Sequence, residues 1–218
     1  LIFSEKHVEA ENVQDTFSFK HKEYSIYKDA IFFDLEHYVY KKPICVGVFG
    51  ACYYDEEKGM INITQYMIED KSDSIKILNL AKKYFQDAYK KNNKKYIVTF
   101  SGNNDFTVIN YLLQKYGVDF DIKAHFTHVD IQKEYEKAKG SNIGLKVLEK
   151  EFNIERESEL ISGQNLAKTF GKIMKDKDYI NRMPKEKKEK ILLYNEQDVV
   201  SLFYMSLNWL KVIGKGCM

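Results

Sequence analysis

Proline is nearly absent from this chain, with only Pro43 and Pro184 in 218 residues, and glycine stops at eleven. Shortage of both argues against a fibrous or proline-rich disordered chain, which could not bury enough apolar surface to fold. Long hydrophobic runs are also missing. The longest, from Ile44 to Tyr54, is broken by Gly47 and Gly50 and is too short to span a bilayer. No charged-then-apolar leader opens the sequence, which sets the cytoplasm as the expected compartment. Cys45, Cys52 and Cys217 are odd in number and have no metal-ligand spacing. That argues against a disulfide framework or a zinc site and leaves reduced thiols. Excess charge of one sign is lacking too: 34 basic residues face 32 acidic ones, for a net +2. Such a balance neither requires nor excludes nucleic acid; what matters is whether the signs separate on the surface.

What is present is apolar patterning. Hydrophobic residues make up 44% and aromatics 14%, enough for a sizeable core in one domain. Residues 1–29 are polar with scattered aromatics and read as a lead-in with one hairpin. Residues 30–212 form the expected domain and 213–218 a tail. Strands are expected from Ala30 to His37, Ile44 to Asp55 and Met60 to Ile68, spaced closely enough for an antiparallel meander. From Ser72 to Lys91 the apolar period becomes helical, through Ile75, Leu78, Ala81, Phe85 and Ala88. Tyr96 to Phe100 is a short apolar strand, followed by a Gly102-Asn103-Asn104 turn into a helix through Gln114. Phe126 to Ile131 is a fifth strand. Helices follow at about 132–139, 143–151, 164–176 and 185–210. Strands separated by helices pair in parallel, so the expected fold is α/β: a mixed sheet, three antiparallel strands then parallel ones, with helices on both faces.

Asp34 and Glu36 stand two apart on the first of these strands and so share a face. Their neighbours Ile31, Phe32, Phe33 and Leu35 are apolar. Two carboxylates there are costly unless the face opens to water or a cation neutralises them, which is the donor set of a hard divalent metal. The plainer reading is an edge strand with a solvated face. Tyr194 and Asp198 are four apart in a helical stretch, roughly 6 Å along the axis and on nearly one side. There the plainer reading is a half-buried tyrosine and a solvent-facing acid. Asp105 opens the helix after the glycine turn, where its ordinary role is an N-cap, one that Asn104 could also fill. Asp130, at the end of its strand, is open between cap and site.

The order of these pieces resembles the DEDD exonucleases of the ribonuclease-H-like superfamily: an acidic pair on the first strand, a mid-chain acid at a helix start, and Tyr-x3-Asp on the last helix. The tyrosine four before the final acid matches the tyrosine subclass. A fuller resemblance, over about residues 30 to 210, is to the bacterial YprB-type ribonuclease-H-like domain. It is carried by Phe33-Asp34-Leu35-Glu36, Val46-Gly47-Val48-Phe49, Val98-Thr99-Phe100-Ser101-Gly102-Asn103 and His128-Val129-Asp130. Gly144-Leu145-Lys146-Val147-Leu148-Glu149 and the stretch from Tyr194 to Leu202 complete it. Two departures occur: His37 follows Glu36 where the family usually has Thr, and Asp105 precedes Phe106 instead of following it.

The resemblance implies a metal-dependent nuclease, expected to be a 3′–5′ exonuclease on DNA or RNA, with two Mg²⁺ or Mn²⁺ ions roughly 3.5–4 Å apart. It implies Asp34, Glu36, Asp105 and Asp198 as metal ligands: Asp34 bridging both ions, Glu36 and Asp198 holding the one that activates water, and Asp105 helping to place the other. Tyr194 would orient the attacking water. The rival expectation is a catalytically weak or inactive nucleic-acid-binding domain of the same fold, favoured by the shifted Asp105. A structural or partner-binding module with merely superficial acids is a third. His125 and His128 read as structural. The lysine-rich stretches 82–95 and 172–190 are solvated helix faces or tracks for a phosphate backbone.

Overall fold

The computed structural model describes residues 1–157 and 161–214 and opens with a strand. β1 (Ile2–Glu9) is followed by a small hairpin, β2 (Lys20–His21) with β3 (Tyr24–Ser25), and then by the meander β4 (Ala30–Tyr40), β5 (Lys42–Asp55) and β6 (Met60–Met67). Next come α1 (Asp73–Lys90), β7 (Tyr96–Thr99), α2 (Asn103–Lys115) and β8 (Thr127–Asp130). The chain ends in helices: α3 (Ile131–Lys139), α4 (Leu145–Glu151), α5 (Gly163–Lys175), the single turn α6 (Tyr179–Arg182), α7 (Lys185–Leu207) and α8 (Trp209–Val212).

The large sheet has the order β1-β6-β5-β4-β7-β8. Its first four strands are antiparallel neighbours, while β4, β7 and β8 run parallel. This is the mixed sheet expected from the alternation of strand and helix. One strand was not expected. Residues 2–9, taken as part of a polar lead-in, pair with β6 from Ile2↔Met67 to Glu9↔Met60. Glu5, Lys6 and Glu9 make this stretch look like loop, yet charge suits an edge strand, where it discourages pairing with another chain. The expected hairpin in the same region is β2–β3.

Each face of the sheet has its own core. On one, Phe33 and Phe49 meet Phe85 of α1 and Phe106 of α2, and Phe170 of α5 joins them. On the other, Phe32 meets Phe203 of α7, and Phe19 meets Trp209 of α8. Burying each such ring is worth about 1.5–3 kcal/mol. Helix α7 serves both: Ile191 belongs to the first cluster and Val199, Leu202 and Phe203 to the second. Two glycines of β5 let helices come close. A Cβ on Gly47 would lie 2.4 Å from the Phe170 ring, and one on Gly50 would lie 1.9 Å from Asn195 Oδ1.

Cys45 and Cys52 are buried free thiols on β5, as their sequence context suggested, and Cys217 lies outside the described residues, with most of the expected tail. Among the described residues no helix is long and apolar enough to cross a membrane.

Candidate active site

β4 is longer than its parallel neighbour. β7 pairs with it only at Ala30, Ile31 and Phe32, so beyond Phe32 that flank of β4 is free. Asp34 and Glu36 stand just past this point, at the carboxyl end of the parallel strands, where open α/β sheets place their ligands. The β4–β5 register slips between Glu36 and His37, and a bulge at such a place re-aims the side chains around it.

Helix α7 covers the opening. Asn195, fully buried, packs directly over Gly50 and donates from Nδ2 to Asp34 Oδ2 at 3.0 Å. Its Oδ1 accepts from Gln65 Nε2 at 2.8 Å, and the same Gln65 amide reaches the Leu192 carbonyl at 2.8 Å. Gln65 therefore orients Asn195, and Asn195 orients Asp34. One turn further along α7, Asp198 enters the same space. One carboxylate oxygen from each of Asp34, Glu36 and Asp198 lies within 4.8 Å of the others.

Asp105 borders this trio without joining it. It is the third residue of α2, is 7% exposed, and lies 3.8 Å from His37 Nε2. It is no N-cap, and neither is Asn104: Gly102 precedes the helix and no side chain caps it. Asn104 instead contacts His37 Nε2 at 3.0 Å. Asp130 is the cap of α3, accepting from Gln132 N at 3.1 Å, and its Oδ1 also takes the Ser101 amide at 2.9 Å. His128 bonds Thr99 at 2.8 Å and His125 stacks on Phe120.

Burial and mutual repulsion act together on these acids. Asp34 is pushed up to about 7 by burial and then by Asp198, with the Asn195 bond opposing. Glu36 is held well above its ordinary range by burial, then by Asp34, Asp198 and Asp105. Asp105 is raised in the same way by burial, Asp34, Asp130 and Asp198. The Glu36 carboxylate makes no hydrogen bond or ion pair among the described residues.

Asp198 differs. Lys146 Nζ and Arg156 Nη2 both bond its Oδ1, leaving Oδ2 with no bond from the described residues. Arg156 is itself gripped by Glu149, Nε to Oε2 at 2.7 Å and Nη2 to Oε1 at 2.5 Å. Both cations lie over the Tyr194 ring, Lys146 Nζ at 4.5 Å and Arg156 Cζ at 5.3 Å from its centroid. Burial, then Asp198 and Glu36, raises the Tyr194 hydroxyl above its usual value, so it is a hydrogen-bond donor at neutral pH.

The sequence reading missed Asn195, Lys146, Glu149 and Arg156 as members of the site. One signal was available: Arg156 and Arg182 are the only arginines in the chain. A sequence that otherwise uses lysine keeps arginine where a planar, two-pronged grip on a carboxylate is needed. Lys146 and Glu149 stand three apart on α4, but no local rule links them to Asp198.

A mixed sheet whose central strand delivers two carboxylates to its open end, completed by an acid from a terminal helix, defines a ribonuclease-H-like architecture. The family model of the RNase H superfamily matches residues 31–210, and the chain belongs to that superfamily. Its members generally hydrolyse phosphodiester bonds, and its nucleases typically use divalent metals. No curated protein matches the chain.

Proposed function

We propose that this protein is a metal-dependent nuclease, acting as a 3′–5′ exonuclease on DNA or RNA by two-metal chemistry. The observation that carries this reading is the convergence of Asp34, Glu36 and Asp198 without a cation for the first two. The donor set fits a divalent ion: hard carboxylate oxygens within 4.8 Å of one another, two of them on acids with raised pKa values that form no ion pair among the described residues. Asp34, Glu36 and Asp198 would hold Mg²⁺ or Mn²⁺, with Asp105 completing the acidic wall as a ligand to the second ion. Divalent ions held by these residues would supply an acidified water and a counter-charge for the leaving oxygen. Asn195 keeps Asp34 in one rotamer, so little reorganisation is needed on binding. Tyr194, protonated and fixed under Lys146 and Arg156, orients the attacking water and does not serve as its base. Lys146 and Arg156 bring positive charge to the edge of an otherwise negative site, where a phosphate must approach.

A second reading has an observation of its own. Asp198 is already neutralised by two cations and Asp105 stands outside the trio, which favours a nucleic-acid-binding domain with weak or no catalysis. One experiment separates the two: digestion of 3′- and 5′-labelled DNA and RNA with Mn²⁺, against an EDTA control. The nuclease reading expects metal-dependent shortening from the 3′ end. Intact substrate that is nevertheless bound would support the second reading.

A further inference from the structure

The balanced charge of the whole chain hides a local excess. Between α5 and the first turns of α7 runs a groove of about 560 Å³, lined by Lys168, Lys172, Lys187 and Lys190, with Tyr179 and, as its one acid, Glu186. All four lysines are exposed. Lys168, Lys172 and Lys187 form no ion pair among the described residues, although lysine–carboxylate pairs are common elsewhere on this surface. Three ammonium groups without an ion pair among the described residues, set along one groove, repel each other and favour an extended anion. Tyr179 adds a half-exposed ring, with Lys172 Nζ 5.6 Å from its centroid.

Helical geometry connects this groove to the acidic site. Lys187, Ile191, Tyr194 and Asp198 follow at steps of four, three and four residues, which is one face of α7. Lys187 and Ile191 line the groove, while Tyr194 and Asp198 line the site. Seven residues separate Lys187 from Tyr194, a rise of about 10 Å. The groove and the acidic site therefore lie along one face of the same helix.

We propose that this groove holds the backbone of a single nucleic-acid strand and leads its end to Asp34, Glu36 and Asp198. The second half of that statement rests on the nuclease reading above; the first half does not. A cationic groove with an aromatic platform is how single strands are gripped without sequence preference. Its volume suits a short run of one strand.

The test is fluorescence anisotropy in EDTA with short labelled oligothymidylate, oligouridylate and a duplex, over a range of salt. The parent should bind the single strands more tightly than the duplex. Lys168→Ala/Lys172→Ala/Lys187→Ala should weaken binding at least about tenfold and lower the slope of log K against log salt by about 0.7 per lysine. Tyr179→Leu should weaken binding about fivefold and leave that slope unchanged. Lys82→Ala/Lys83→Ala, on the lysine-rich α1, should behave as the parent. Equal effects from the α1 pair, unchanged binding by the triple variant, or equally tight groove-dependent binding of poly-glutamate would each overturn the proposal. Groove-dependent binding without Mn²⁺-dependent cleavage would leave the groove standing and remove the nuclease reading. Cleavage with an unchanged salt slope in the triple variant would do the reverse.

Discussion

The acidic site has two halves that solve the same problem differently. On the α7 side, Asp198 and Glu149 are buried at 5% and 2% exposure and neutralised by Lys146 and Arg156. On the β4 side, Asp34, Glu36 and Asp105 have one another for neighbours, and each is pushed towards its protonated form. Burying a carboxylate is tolerable only with a partner, a proton or a metal. The α7 half carries its counter-charge in the fold, and the β4 half leaves that role to something from outside. On the nuclease reading, a site so divided would be stable without an ion and would still attract one.

This division can be broken from either side. The largest expected effect is on cleavage. Asp34→Asn should lower the rate by more than about 10³-fold, with a melting temperature in EDTA no lower than the parent's. Cleavage near the parent rate in pure protein would remove Asp34 from the chemistry. Next comes the internally neutralised half. Arg156→Met leaves Glu149 buried without its cation, which should cost about 3–5 kcal/mol of stability in denaturant melts. Arg156→Met/Glu149→Met should recover much of that loss. A single variant as stable as the parent would show that the guanidinium is only surface decoration. Between the halves lies Tyr194, covered by the cations of one and facing the acids of the other. Tyr194→Phe should slow turnover about 10²-fold while metal affinity is kept. An unchanged rate at saturating metal would make the phenol a packing residue.

The smallest effect is a pH slope. Asp34 in the metal-free protein has its pKa raised to about 7 from an ordinary value near 3.8. The folded state thus binds its proton more tightly than the unfolded chain. The resulting stability is complete below about pH 4 and is lost as pH rises through about 7. His37 and His128, held low by burial, give the opposite slope near their ordinary range, so the comparison to make is with Asp34→Asn. In EDTA the parent should lose melting temperature relative to that variant between about pH 4 and 7. Parallel profiles would mean that Asp34 is an ordinary surface acid.

The two halves were also unequally legible. Asp34 and Glu36 could be read because a strand repeats every two residues, and Tyr194 with Asp198 because a helix returns after four. The order of strands and helices gave the sheet for the same reason: apolar periodicity is local. The ion pairs of Asp198 were not readable, since Lys146 and Arg156 are 52 and 42 residues away and meet it only when α4 and the segment after it fold against α7. Asn195 was in view as part of its motif, but its hold on Asp34 depends on the absence of a side chain at Gly50 across the sheet. β1 failed for a different reason. An edge strand with one flank in water needs little apolar alternation, so Ile2–Glu9 reads as loop until β6 is there to pair with it.

The β4 half lacks a counter-charge among the described residues, and on the nuclease reading a divalent ion would supply it. Glu36→Gln tests this most directly, because the Glu36 carboxylate has no hydrogen bond among the described residues to lose, and the readout is thermal melting in EDTA and in Mn²⁺. Without metal, the variant should melt at the parent's temperature or above it, since one of several mutually repelling charges has gone. With Mn²⁺ the parent should gain stability as RT ln(1 + [M]/Kd), about 2.7 kcal/mol at a hundredfold excess over Kd, and the variant much less. The two curves should therefore cross between EDTA and Mn²⁺. A variant that melts lower than the parent in EDTA and responds to Mn²⁺ equally would contradict the account.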